Sequence, residues 1–107
     1  MAHEETINWP GVSGREYKYW IYPIDTNFKD EPGNYIFAKR TASGQWTPVY
    51  IGETQSLRER LPNHEKLPCV NRNRGSHLHV HLTSGGQQAR LAEETDLLRK
   101  FSPPCNK

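Results

Sequence analysis

Residues 33–52, GNYIFAKRTASGQWTPVYIG, carry the clearest structural pattern in the chain. Two short runs within them, 34–40 and 46–52, are rich in aromatic and β-branched side chains. A polar segment that contains a glycine, TASGQ, separates the two runs. Because short strands of this composition, joined by a few turn residues, form hairpins, the pattern predicts two antiparallel strands.

The register of this hairpin decides how its two tyrosines are placed. If Arg40 pairs with Gln45, then Tyr35 lies opposite Tyr50. Directly opposed residues have Cβ atoms about 5 Å apart, so this register predicts two adjacent tyrosines on one face of the sheet.

A short helix is predicted directly after the hairpin. Ser56 and Glu59 have the Ser-x-x-Glu spacing of a capping box, in which each side chain satisfies a free backbone N–H at the start of the helix. Pro62 removes a backbone donor, so the helix should end near Arg60, with His64 on a second short turn.

The rest of the chain supplies further segments of regular structure. Residues 77–82, HLHVHL, alternate between histidine and apolar side chains and predict a third strand. Residues 87–101 have the best helical pattern in the chain. Residues 16–24 are aromatic-rich and predicted to be extended, whereas residues 1–15 are expected to form an irregular lead-in. Together the elements predict a small α/β layer structure with an antiparallel or mixed sheet.

Length and composition fit one compact domain over residues 1–107. A second domain would leave each half near the floor of about 50 residues for a stable core. No apolar run approaches the roughly 18 residues of a membrane span, and residues 1–6 lack the pattern of a signal peptide, so a cytoplasmic protein is expected. Cys69 and Cys105 are expected to remain free thiols in such a reducing compartment.

The net charge of +2 hides an asymmetry between two parts of the chain. Residues 1–31 carry three basic and six acidic groups, whereas residues 32–107 carry eleven basic and six acidic groups. The difference, −3 against +5, makes the later part better suited to an anionic partner, although many protein surfaces carry such a charge. Arg72 and Arg74 fit either a solvated loop or contacts with phosphates.

Glu94 is the most informative single residue of the last helix. At about 100° per residue, Glu94 falls near the middle of an apolar stripe, and Glu93 lies largely off it. The stripe consists of Leu91, Leu97, Leu98 and Phe101. A carboxylate on a buried face is costly unless it has a partner. Two alternatives for this partner remain open. One is Arg90, four residues earlier, in a helical ion pair, and the other is a metal ion.

Two other groups of side chains leave alternatives open. Arg60 and His64 are four residues apart and share one face if helical geometry continues past Arg60. A guanidinium can neutralise a phosphoryl oxygen and an imidazole can shuttle a proton, yet solvated pairs at this spacing are common. The histidines at 77, 79 and 81 share one strand face, which suits zinc chelation, a polar sheet face or a nucleic-acid contact.

Five short motifs stand in one order along the chain. They are Gly33-Asn34-Tyr35, then Tyr50-Ile51-Gly52 about fifteen residues later, Leu57 through Arg60-Leu61 with His64, Glu94 with Leu97-Leu98 and Lys100, and Pro103-Pro104-Cys105-Asn106. In this order and spacing they resemble the GIY-YIG nuclease domain family over residues 32–107. Asn34 stands where the family usually has Ile or Val, and Pro62 is a second departure.

The resemblance implies a fold and an activity. The fold is α/β, with a small three-stranded antiparallel sheet flanked by helices. Residues 32–107 would form this nuclease-like core, and residues 1–31 would be an N-terminal extension that adds an aromatic-rich segment. The activity is hydrolysis of DNA phosphodiester bonds with one Mg²⁺ or Mn²⁺ per site.

The resemblance also assigns catalytic roles to six residues, which are Tyr35, Tyr50, Arg60, His64, Glu94 and Asn106. Glu94 would bind the metal, and Tyr35 would orient or deprotonate the attacking water beside Tyr50. Arg60 would stabilise charge on the pentacovalent phosphate, and His64 would assist proton movement. The remaining asparagine would support the site. DNA contacts are expected from Lys39, Arg58, Arg72 and Arg74.

The sequence therefore predicts a divalent-metal-dependent DNA endonuclease. The chain carries no separate domain for reading bases, so structure-selective cleavage or recruitment by a partner protein is expected rather than readout of a long target. Cutting both strands would need a homodimer or two encounters. The alternatives are a nucleic-acid-binding module of the same fold without turnover and a zinc hydrolase built on the three histidines.

Overall fold

The computed structural model describes residues 5–107. The strands are β1 (Glu5–Pro10), β2 (Glu16–Pro23), β3 (Gly33–Arg40), β4 (Trp46–Thr54) and β5 (His77–His81). The helices are α1 (Leu57–Arg60), α2 (Leu67–Arg72) and α3 (Gly86–Lys100), and a 3₁₀ turn over Pro104–Asn106 follows them. Within this described range the chain is a small α/β fold with a five-stranded antiparallel sheet, in the order β1-β2-β5-β3-β4. No helix of that range is long and apolar enough to cross a membrane.

The predicted sheet of three strands is too small. Strands β3, β4 and β5 are confirmed, and β1 and β2 extend the sheet beyond β5. The expectation of an irregular segment over residues 1–15 is wrong for residues 5–10, which pair with β2, while residues 1–4 lie outside the described range. The inward alternation of β1 consists only of Ile7 and Trp9, which is too short to stand out in the sequence.

The hairpin of β3 and β4 forms as predicted, but its register differs at the turn. Arg40 pairs with Trp46 rather than with Gln45. The turn holds five residues because the N–H of Thr41 donates to the carbonyl of Gln45 at 2.7 Å. The predicted register is therefore wrong by one residue where the hairpin begins.

A bulge in β4 shifts the register by one residue more. Val49 has no partner on β3, so Tyr50 lies opposite Phe37 and Gly52 lies opposite Tyr35. The predicted pairing of Tyr35 with Tyr50 is therefore wrong by two residues. Because side chains alternate with a period of two, both tyrosines still share one face of the sheet.

Each face of the sheet carries an apolar layer. One layer contains Tyr35 and Phe37 and packs against Leu57 of α1 and Val70 of α2. The opposite layer contains Ile36, Ala38 and Ile51 and packs against Leu97 of α3. The short helices and the long helix therefore lie on opposite sides of the sheet.

The predicted start and end of α1 are confirmed. The side chain of Ser56 accepts a hydrogen bond from the N–H of Glu59 at 3.2 Å. The helix ends at Arg60, two residues before Pro62. A further bond, from the N–H of Leu57 to the carbonyl of Glu31 at 2.8 Å, ties the helix to the loop that precedes β3.

The buried side of α3 differs from the predicted stripe. Leu91 is 42% exposed, whereas Arg90 and Glu93 are buried. The buried side chains of Arg90 and Glu93 both have polar partners. The hydroxyl of Tyr19 donates to Glu93 Oε2 at 2.6 Å, and Nδ1 of His81 lies 2.9 Å from the same oxygen. Polar contacts with the sheet therefore set the rotation of this helix, and the apolar pattern alone predicts it incorrectly.

Cys69 and Cys105 form a disulfide, which corrects the expectation of two free thiols. The bond joins α2 to the final 3₁₀ turn across 36 sequence positions. Asn73 supports it, since its side-chain amide donates to the carbonyl of Cys69 at 2.8 Å. The two cysteines come together only through tertiary packing, so their spacing in the sequence does not reveal the pair. The cytoplasmic location stays a prediction.

Reduction of the Cys69–Cys105 bond is expected to lower the free energy of unfolding by about 3 kcal/mol, because the unfolded chain then loses a covalent loop. Denaturant midpoints measured with and without a reducing agent test this. The double variant Cys69→Ala/Cys105→Ala should have the same denaturant midpoint with and without the reducing agent. Equal midpoints for the unmodified protein under both conditions would contradict the expected contribution.

Candidate active site

Tyr35 and Tyr50 lie side by side on the sheet face that α1 covers. Their ring centroids are 6.2 Å apart, and their planes differ by 29°. A Cβ atom at Gly52 would lie 2.7 Å from Tyr35 Oη and 2.8 Å from Tyr50 Cε2. The close approach of the two rings therefore requires a glycine at this position.

His64 lies within the same aromatic cluster. Its Nε2 is 2.6 Å from Tyr35 Oη. The rings of Tyr35, Phe37 and Tyr50 surround the imidazole at steep angles, with centroids 5.6, 5.4 and 4.8 Å away. Burial lowers the pKa of His64 to about 4, and the charge of Arg60 adds to this shift. The imidazole is therefore neutral at pH 7.

The hydrogen bonds of His64 assign its tautomer. The backbone N–H of Lys66 donates to Nδ1 at 3.0 Å, so this nitrogen is an acceptor. A neutral imidazole with an accepting Nδ1 carries its proton on Nε2. The Nε2–H group therefore donates to Tyr35 Oη, and the phenolic proton of Tyr35 remains free to donate elsewhere. This arrangement favours a donor role for His64 over the predicted role in proton movement.

Arg60 is the last residue of α1 and extends toward the same tyrosines. Its Nη2 forms an ion pair with Glu65 at 3.2 Å, and its side chain is 35% exposed. Burial raises the pKa of Tyr35 and of Tyr50 above the ordinary value of 10, and the charge of Arg60 opposes both shifts. Because burial outweighs the guanidinium charge, both tyrosines are neutral phenols at pH 7.

Glu94 is half-buried on α3 and has no hydrogen-bond or ion-pair partner among residues 5–107. Burial raises the pKa of its carboxyl group, and the charge of Glu53 raises it further. The Glu94 charge in turn raises the pKa of Tyr35 and of Tyr50, although α3 packs on the side of the sheet opposite α1.

Arg90, one of the two partners left open for Glu94, pairs with a different carboxylate. Its Nε donates to Glu53 Oε1 at 2.9 Å, and both side chains are largely buried. The sequence-based ion pair between Arg90 and Glu94 is therefore wrong. Glu53 was missed because its partner lies 37 positions away, although an acidic residue directly after a predicted strand is a visible signal.

Asn34 is fully buried and links β3 to α3. Its side-chain amide donates to the backbone carbonyl of Arg90 at 2.9 Å, and its Oδ1 accepts from the hydroxyl of Thr83 at 2.5 Å. It lies opposite Glu53 in the hairpin, so this cross-strand pair holds Arg90 at two points. An apolar side chain at this position would make neither bond, which explains the departure from the Ile or Val of the resembled family.

Asn106 binds the backbone of β4 beside the tyrosines. Its Oδ1 accepts from the N–H of Ile51 at 2.8 Å, and its Nδ2 donates to the carbonyl of Ile51 at 2.9 Å. Since β4 is an edge strand, this side chain satisfies backbone groups that no neighbouring strand pairs. Asn106 thereby fixes the main chain between Tyr50 and Gly52.

The four basic residues predicted to contact DNA occupy different elements. Arg58 lies on α1, is 59% exposed and approaches Asp30 and Glu59 at 3.4 Å each. The other three are half-buried Lys39 near the end of β3 and exposed Arg72 and Arg74 at the end of α2. Arg58 is thus the member of this set that shares a helix with Arg60.

The three histidines of β5 have separate partners. His79 Nδ1 accepts from Trp9 Nε1 at 2.9 Å. His81 pairs with Glu93, and the Nδ1 of His77 contacts the hydroxyl of the preceding serine. In the part of the chain that the structure describes, no group of three or more His, Cys, Asp or Glu side chains could hold a metal ion. The zinc hydrolase alternative therefore has no ligand set there.

A divalent cation would find one uncommitted carboxylate at this site. Oxygen ligands are the ones that Mg²⁺ and Mn²⁺ prefer, and Glu94 has no competing partner in the described range. Mg²⁺ commonly binds through one or two carboxylates and completes its octahedron with water and substrate phosphate. The donor set therefore fits a cation held jointly by protein and substrate.

Comparison with known proteins finds no protein-family model, no curated protein and no solved structure that matches this chain. The family resemblance rests on the motifs and their order.

Asn34→Ile, which introduces a residue usual in the resembled family, is expected to lower the free energy of unfolding by about 1–3 kcal/mol, because it removes two buried hydrogen bonds. Thr83→Val is the comparison variant: of the two Asn34 bonds it removes only the one to Oδ1, together with longer contacts of the Thr83 hydroxyl to His81 and Glu93, and it leaves the bond to Arg90 in place. Denaturation midpoints measure both. An unchanged midpoint for Asn34→Ile would show that the contact with Arg90 does not hold α3.

The free energy of unfolding is expected to fall as the pH decreases from about 6.5 to about 4, because unfolded chains bind a proton at His64 that the folded protein excludes. Burial lowers the pKa of His79 to about 3, which acts in the same direction. Denaturation midpoints across this range should depend less on pH in His64→Gln. Proton NMR should place the titration of the His64 ring near pH 4; a midpoint near 6.5 would contradict the burial argument.

Proposed function

We propose that this chain is a GIY-YIG-type endonuclease that hydrolyses DNA phosphodiester bonds with one Mg²⁺ or Mn²⁺ per site. The observation that carries the proposal is the half-buried carboxylate of Glu94, which has no hydrogen-bond or ion-pair partner in residues 5–107; its charge also raises the pKa of Tyr35 and of Tyr50. A partly buried charge without a partner is costly, and a cationic ligand accounts for it.

Arg60 is suited to the charge that develops on phosphoryl oxygens. One terminal nitrogen contacts Glu65, which leaves the remaining guanidinium N–H groups for a phosphate. The charge of Arg60 already acts on both tyrosines, so a phosphate bound by Arg60 would lie beside their hydroxyl groups. Such a placement serves the transition state more than the ground state, because the negative charge grows as the water attacks.

Tyr35 is suited to orient the attacking water. Its oxygen accepts from Nε2–H of His64, so its own hydroxyl proton is free for another acceptor. The water oxygen bonds to phosphorus as the water gives up a proton to solvent, or to Tyr35 where that residue has first lost its own proton. The bond from phosphorus to the leaving sugar oxygen breaks as that oxygen takes up a proton from solvent. The N–H groups of His64 and Arg60 would stabilise a Tyr35 phenolate.

Glu94 would hold the cation, and Asn106 would support the site by fixing the backbone of Ile51. When bound, Mg²⁺ or Mn²⁺ would supply neutralisation of phosphoryl charge and a more acidic water. The protein's part is to keep the Glu94 carboxylate free of competing donors, to hold Tyr35 by way of His64 and to position Arg60.

Substrate choice is proposed to depend on DNA shape or on a recruiting protein. Arg58 is exposed on the helix that carries Arg60, but it lies two residues earlier, so the two side chains point to different faces of that helix. Lys39, Arg72 and Arg74 lie on other elements. A homodimer would allow cleavage of both strands.

Cleavage of branched, flapped, duplex and single-stranded DNA, with Mg²⁺ or Mn²⁺ and after chelation, tests the proposal. Arg60→Ala and Tyr35→Phe should each lower turnover at least about a hundredfold, because both groups act mainly in the transition state. DNA affinity should remain nearly unchanged. Glu94→Gln should abolish cleavage while still permitting DNA binding.

Arg99→Ala is the matched control for Arg60→Ala, since Arg99 is exposed on α3 and should keep turnover unchanged. Cleavage that persists after exhaustive chelation would exclude the metal mechanism. DNA binding without cleavage under every condition would indicate the alternative, a nucleic-acid-binding module without turnover.

A further inference from the structure

Arg90 contacts one carboxylate on the sheet, and a second carboxylate stands four residues along its own helix. Glu94 follows it by four residues on α3, a spacing that places two side chains on neighbouring positions of one helix face. Glu53 projects from β4 and accepts from Arg90 Nε at 2.9 Å. In the structure the contact with Glu53 forms, and Glu94 remains unpaired among the described residues.

The hairpin favours this choice of partner. Asn34, directly opposite Glu53, donates to the carbonyl of Arg90 at 2.9 Å and holds its main chain against the sheet. The side chains of Arg90 and Glu53 are 5% and 16% exposed, so their attraction is less screened by water than a surface ion pair. The guanidinium is thus directed at Glu53, and it makes no contact with the carboxylate one turn along the helix.

We propose that Glu53 is a positioning residue that keeps Arg90 away from Glu94 and so leaves the Glu94 carboxylate free for the divalent cation. This inference rests on the proposed function, because it assumes that Glu94 is the metal ligand. Glu53 acts through Arg90 and does not itself touch the cation. Without Glu53, the unpaired guanidinium would compete with the cation for Glu94.

Two other roles for Glu53 give different results. If Glu53 were a second metal ligand, its loss would weaken cation binding whether or not Arg90 is present. If the pair with Arg90 only stabilised the fold, loss of Glu53 would lower the denaturation midpoint and leave cation binding unchanged. Removal of Arg90 together with Glu53 therefore separates the three roles.

The experiment measures the Kd of Mn²⁺ by electron paramagnetic resonance for the unmodified protein, Glu53→Gln, Arg90→Gln and the double variant. We expect Glu53→Gln to weaken binding about tenfold, which equals about 1.4 kcal/mol of competition from Arg90. Arg90→Gln should bind Mn²⁺ at least as tightly as the unmodified protein. The double variant should recover the affinity that Glu53→Gln loses.

Glu16→Gln, which removes the same charge from an exposed position on β2, is the control and should leave the Kd unchanged. Weak binding by the double variant would overturn the proposal in favour of direct ligation by Glu53. An unchanged Kd for Glu53→Gln would overturn it in favour of a structural role. If Glu53→Gln does not fold, Arg90→Gln still tests the proposal, because weaker binding by that variant contradicts competition.

Glu94→Gln separates failure of this inference from failure of the proposed function. Loss of Mn²⁺ binding in Glu94→Gln, with no effect of Glu53→Gln, would overturn only the positioning role of Glu53. Unchanged Mn²⁺ binding in Glu94→Gln would instead show that Glu94 is not the ligand, and both proposals would fall.

Discussion

Arg90 is fixed to the β3–β4 hairpin at two points, and the placement of α3 depends on this contact. Asn34 binds its carbonyl, and Glu53 binds its guanidinium. Loss of Asn34 would remove buried hydrogen bonds, at a cost of about 1–3 kcal/mol, and loss of Glu53 would leave a buried guanidinium charge unpaired, at a cost of about 3–5 kcal/mol. The helix therefore has one favoured rotation against the sheet, and that rotation leaves Glu94 half-buried, with its charge raising the pKa of Tyr35.

Local signals made much of the fold predictable. Three patterns are recognisable within ten residues of sequence, and the structure contains all three. They are the strands of the hairpin, the Ser56 cap and the alternating residues 77–81. The register was not predicted, although Pro48 stands directly before the bulge at Val49 and proline inside a strand is typical of bulges and edge strands. The disulfide and β1 were missed because both depend on partners that only the folded chain brings close.

In the candidate site the sequence predicted residue types, and the structure supplied their partners. Tyr35 was expected on the same sheet face as Tyr50, and it lies there. The predicted register is wrong by two residues, and a shift of two residues leaves each side chain on its predicted face. The tautomer of His64 follows from a backbone N–H that no motif records. The position of Glu53 directly after a predicted strand was visible, but its role was not, because that role depends on a contact with Arg90 37 positions away.

Charged residues that face inward explain how α3 can present a free carboxylate. Arg90 and Glu93 are buried while Leu91 is exposed, so apolar burial alone does not select the rotation of this helix. Rotation of α3 about its axis by one residue position, about 100°, would separate both buried charges from their partners. Buried charges without partners are strongly destabilising. Glu94 follows directly after these two contacts and takes part in neither. Binding of the proposed cation to Glu94 would therefore break no hydrogen bond that holds α3 to the sheet.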